Sequence, residues 1–113
     1  MTRISVTRTL DAVVLAAVFL RELVKSAVTV AGIVARGGRG MRPAILAVPL
    51  DVRGDTGIAV FADMVTLTPG TTSLHVSDDR RTLYVHAMDA PDPAGAVAEM
   101  KAAFETRVLK VFP

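Results

Sequence analysis

The segment Leu10–Ala35, LDAVVLAAVFLRELVKSAVTVAGIVA, constrains this chain more than any other. It has no proline and a single glycine, Gly32, so nothing in it breaks a helix. As a helix it would be about 39 Å long at 1.5 Å per residue, more than the hydrocarbon core of a bilayer. Its uninterrupted apolar run, Ala12–Leu20, is short, and Arg21, Glu22 and Lys25 follow at once. At about 100° per residue, Asp11, Glu22, Lys25 and Thr29 fall within roughly 60° of one another. Arg21 lies at the edge of that stripe and Arg36 extends it. Val13, Ala17, Leu20, Val24, Ala27 and Ala31 form the opposite, apolar face.

Three readings fit such a helix. A secretory signal peptide is disfavoured because charges divide its apolar core. An interfacial amphipathic helix would have an unusually narrow polar face and no Trp. A membrane-spanning helix with its charges turned to other protein helices fits best, because unpaired charges in hydrocarbon cost several kcal/mol. Glu22 and Lys25, at i and i+3, can pair within the helix. Asp11, Arg21, Glu22 and Lys25 are therefore candidate intramembrane residues that dock a partner or line an ion path, with docking preferred.

Charge is spread unevenly. Up to Arg42 there are seven basic residues against two acidic ones, and from Pro43 onward six against nine. A nucleic-acid binder would carry its positive face on the folded part, so this distribution argues against one. It suits a membrane segment with an appended domain. The chain has no Cys, so no disulfide, thiolate metal site or Cys nucleophile is available. Gly37, Gly38 and Pro43 end the helix. Arg36, Arg39 and Arg42 then put positive charge beside the membrane, which predicts a cytoplasmic carboxy-terminal domain. The chain divides into a segment with the transmembrane helix (1–36), a Gly/Arg linker (37–43) and a domain (44–113).

In that domain Ala44–Leu50 reads as a strand with Leu46, Val48 and Leu50 on one face. Pro49 cannot donate to a ladder, which assigns the strand to a sheet edge. Arg53-Gly54-Asp55 is a turn, and Asp55 is expected to cap a helix to about Thr66 with Ile58, Phe61, Ala62 and Val65 inward. Thr68-Pro69-Gly70-Thr71 has the type II turn pattern, Pro at i+1 and Gly at i+2. A hairpin follows with its tip at Asp79-Arg80. Alternation predicts Leu74, Val76, Leu83, Val85 and Ala87 buried, and Ser73, His75, Tyr84 and His86 on the other face. Two neighbouring His could hold a metal, but with no third ligand in reach the face reads as merely polar. Asp92 caps the last helix and Pro93 takes its first position. Val97, Met100, Phe104, Val108 and Val111 form its core stripe. The order β-α-β-β-α predicts a truncated ferredoxin-like sandwich with the third strand between the other two.

The segments FLRELVKS (19–26), RPAILAVPL (42–50), MVTLTPGTTSL (64–74), RTLYVHAMDAPDP (81–93) and AEMKAAFETRVLKVF (98–112) resemble the E subunits of the Mrp (Mnh) type multisubunit sodium/proton antiporters. In order and spacing they cover nearly everything after Leu10. The resemblance implies an accessory subunit of a hetero-oligomeric complex in the bacterial cell membrane. The complex exchanges sodium for protons, its large subunits carry the proton chemistry, and the chain has no enzymatic activity or cofactor of its own. Such proteins carry further apolar segments ahead of the helix, so a short form or one without that amino-terminal hairpin is expected. Arg21 stands where a bulky residue is usual, and Arg80 where the hairpin tip often has Gly. The alternative is a membrane-tethered binding module that docks a regulatory partner and takes no part in transport.

Overall fold

The computed structural model describes residues 2–112, with side chains from Val6 onward. The first helix, α1 (Thr2–Ala35), begins eight residues before the expected start at Leu10 and spans 34 residues. Nothing between Thr2 and Leu10 breaks it, so the polar segment simply continues the turn. Among the described residues no helix is long and apolar enough to cross a membrane. Gly37, Gly38 and Gly40, all at positive φ, unwind the chain after α1. Strand β1 (Ala44–Pro49), helix α2 (Asp55–Leu67), strands β2 (Thr71–Val76) and β3 (Thr82–Ala87) and helix α3 (Pro93–Met100) follow. A π turn, Lys101–Glu105, joins α3 to α4 (Thr106–Val111). In that turn the N–H and the hydroxyl of Thr106 both donate to the carbonyl of Lys101.

The sheet is antiparallel in the order β1-β3-β2, so β3 is inserted between the ends of the β1-α2-β2 unit. Pro49 lies on the edge strand, where its missing N–H costs nothing. Helices cover one face of the sheet. Leu46, Val48, Leu83 and Val85 meet Phe61, Val65, Phe104 and Val108 there, all buried. The other face is open, with Ile45, Tyr84 and His86 exposed.

Three local expectations change. The cap of α2 is Gly54, and Asp55 is instead its first residue, paired with Arg80 at the hairpin tip. Arg80 takes the left-handed conformation, φ 61°, that a glycine would occupy more easily. The ladder between β2 and β3 is irregular between Ser73 and His75. This bulge turns Leu74 out to 53% exposure instead of burying it. It also turns Ser73 toward α2, where its hydroxyl donates to the Ala62 carbonyl at 2.9 Å. His75 still pairs with Tyr84, as the tip position requires, and His86 faces Thr72.

Candidate functional site

Helix α1 lies across the helical layer of the domain. Leu15 and Ile33 are buried, and the Phe19 ring packs 6.1 Å from that of Phe104. Of the charged stripe, Glu22 is buried, while Arg21, Lys25 and Thr29 stay exposed at the border of the contact. Glu22 is 9% exposed, and its two oxygens stand 3.4 Å from the Arg21 guanidinium and 3.6 Å from the Lys25 ammonium. Lys25 also reaches Glu99 of α3 at 3.8 Å. The six-residue apolar face of α1 points away from the domain, with Val13, Leu20 and Val24 about as exposed as surface residues. The helix thus seats a mixed face, Leu15, Phe19 and Ile33 with Glu22 among them, on its own domain, and leaves its wholly apolar face outward. Asp11, one turn before Leu15, is half-buried and stands apart from this cluster.

Between α1 and the domain is a cavity of about 260 Å³. Glu22, Lys25, Thr29, Val30 and Ile33 line it from α1, and Thr68 to Thr71, Asp89, Glu99 and Phe104 from the domain. The fold therefore brings Glu22 and Lys25 together with the Thr68-Pro69-Gly70-Thr71 turn, two features far apart in the chain. Arg21 joins only through Glu22, from the solvent side.

The turn has the expected geometry. Gly70 has φ 92°, and the Thr71 N–H donates to the Thr68 carbonyl at 3.3 Å. Its hydroxyls are used structurally. Thr68 donates to the Met64 carbonyl at 2.8 Å and Thr71 to the Val65 carbonyl at 2.6 Å. These are end carbonyls of α2, which also accept from the Thr68 N–H, so the hydroxyls reinforce the helix end. The Met88 N–H donates to the Gly70 carbonyl, tying the turn to the end of β3. A Cβ on Gly70 would meet Val30 of α1 at 3.2 Å, so the turn is also the seat of α1.

A second charged cluster escaped the sequence reading. Glu105, 1% exposed, accepts from the N–H groups of Asp51 and Val52 at 2.9 and 3.3 Å. Lys101 stands 3.3 Å from its other oxygen and donates to the Pro49 carbonyl at 2.6 Å and to Asp51 at 3.0 Å. Burial by itself pushes Lys101 down, but the hydrogen bond to Asp51 and the charge of Glu105 outweigh it and hold the ammonium above its ordinary value. A signal was present: residues 101, 104, 105 and 108 have the i, i+3, i+4, i+7 spacing of one helix face. Outside both clusters, the Ser77 hydroxyl and the Arg81 N–H hold the exposed Asp79 below the usual carboxylate value at the hairpin tip. On the open sheet face His75 stacks on Tyr84, 6.3 Å between centroids.

Residues 1–111 match the family described as Na+/H+ ion antiporter subunit. The chain belongs to that family. Among similar proteins, the Na(+)/H(+) antiporter E subunit of Alkalihalophilus pseudofirmus is 33% identical over 97 residues, 86% of this chain and 61% of that protein. The corresponding E subunit of Bacillus subtilis is 35% identical over 94 residues, 83% of this chain and 60% of that one. This family member therefore spans about three-fifths of the length of these curated relatives. Its fold is similar to a chain in the solved Mrp complex of a Dietzia species, with a TM-score of 0.57 and 24% identity over 87% of this chain and 96% of that one.

Proposed function

We propose that this chain is an accessory subunit of a multisubunit sodium/proton antiporter in the cell membrane, needed for assembly and transport and not an exchanger by itself. The family match over residues 1–111 carries this reading. The two clusters described above support it, because both are built to hold elements together. Lys25 bridges Glu22 on α1 to Glu99 of the domain, and Glu105 fastens the β1–α2 loop to the last helix.

Helix α1 is the membrane-contacting element in this reading. Its outward apolar face would meet lipid and the apolar flanks of neighbouring subunits, while the domain covers Glu22. Because that domain exposes Arg, Asp and Glu side chains, it stays in water, on the cytoplasmic side that Arg36, Arg39 and Arg42 favour. The same geometry supports docking over ion conduction as the role of Glu22 and Lys25.

The test is expression of the tagged chain with its neighbouring subunits. It should sediment with membranes and copurify with the others, and vesicles lacking it should lose sodium/proton exchange. Cysteine placed at Ser77 should resist an impermeant thiol reagent in whole cells. A complex that assembles and exchanges normally without this chain would overturn the assignment, and ready labelling from outside would reverse the topology.

A further inference from the structure

We infer that the cavity between α1 and the domain is a socket for one basic side chain, an arginine, of a neighbouring subunit. This rests on the subunit reading above and adds to it which surface is engaged and by what chemistry. Cofactors and drug-sized ligands occupy pockets of roughly 300–1,000 Å³, and this cavity, at about 260 Å³, suits a single long side chain better.

Its lining is divided in the way an arginine is. Val30, Ile33 and Phe104 provide an apolar floor for a methylene stem. Three carboxylates, Glu22, Asp89 and Glu99, share the lining with one ammonium, Lys25. Even with Arg21 counted against Glu22 from outside, negative charge remains in excess.

The existing pairs are also loose. Glu22 is nine-tenths buried, yet its cationic partners stand at 3.4 and 3.6 Å, and Lys25 is 3.8 Å from Glu99. Charge-assisted hydrogen bonds usually close to about 2.7–2.9 Å. A buried carboxylate held this loosely has capacity for a further donor. The acids are spread out and do not converge: among the described residues no three ligands are grouped to hold a metal ion. A flat guanidinium with five fixed donors is suited to such separated acceptors.

A photo-reactive amino acid at Thr29, an exposed position lining the cavity, tests this in the assembled complex. Illumination should cross-link α1 to another subunit, with the adduct mapping next to an arginine. Glu99→Lys faces both Lys25 and the guanidinium with a like charge and should cut the cross-link at least about tenfold, whereas Lys25→Met, which removes only the cation on this chain, should leave it in place. An intact complex whose Thr29 probe reaches only lipid or this same chain would overturn the socket, as would a cross-link unaffected by Glu99→Lys. Failure of the chain to copurify at all would instead count against the subunit assignment, so the two outcomes are distinct.

Discussion

Glu105→Ala gives the sharpest test of how this domain is held together. The carboxylate is buried in the π turn, and two backbone N–H groups and Lys101 converge on it. Truncation leaves Asp51 N–H and Val52 N–H without their acceptor in a region water reaches poorly. Removing one partner of a buried ion pair costs about 3–5 kcal/mol. Lys101 keeps its contacts with the Pro49 carbonyl and Asp51, which places the loss near the lower end. Taking about 3–4 kcal/mol, and about 4 °C per kcal/mol for a chain of this size, the melting temperature should fall by about 12–16 °C. Glu105→Gln separates the terms. Its amide oxygen can still accept from both N–H groups, but its NH₂ faces the Lys101 ammonium, donor against donor, so a loss of about 1–2 kcal/mol is expected. Thermal melts of the purified chain in mild detergent, followed by circular dichroism, measure both. A fall of less than about 4 °C for Glu105→Ala would show that the loop is held by packing alone. Equal losses for Ala and Gln would show that charge, and not the pair of N–H bonds, is what Glu105 supplies.

Two further outcomes follow from the same contacts. Gly70→Val forces a β-branched residue to φ 92° and drives its side chain toward Val30, so it should cost at least about 2 kcal/mol and loosen α1 from the domain. Faster proteolysis within residues 36–41, with Gly70→Ala intermediate, is the expected readout, and an unchanged cleavage rate would separate the turn from the seating of α1. The Lys101 ammonium is held above its ordinary value of 10.5, so its contribution to stability is complete below that pH and is lost as pH rises through the higher folded-state value. Denaturation midpoints of the wild type should therefore drop at strongly alkaline pH, and those of Lys101→Met should lack that component.

Elements governed by neighbouring residues were legible in the chain itself. Pro and Gly at fixed places set the turn at Thr68–Thr71, Asp92 caps α3 by accepting from the Gly95 N–H, and alternation marked β1 and β3. The insertion of β3 between β1 and β2 followed from the β-α-β-β order together with the edge preference of Pro49. The family, too, was legible, because its segments recur here in order and spacing.

What remained was decided between elements distant in sequence. Alternation placed Leu74 inside and Ser73 outside, but the bulge reversed them, because the Ser73 hydroxyl and N–H bond to Ala62 and Thr66 of α2. Glu105 reads as an ordinary helix glutamate until the β1–α2 loop presents two N–H groups to it from more than fifty positions away. The largest case is α1. Helical periodicity establishes that its two faces differ, yet it carries no information about which face the rest of the chain covers. Hydrophobicity alone would have turned the apolar side to the core. In the tertiary structure a neighbouring face, which carries Leu15, Phe19, Val30 and Ile33 together with Glu22, packs on the domain and the Gly70 turn, and Val13, Leu20 and Val24 stay exposed.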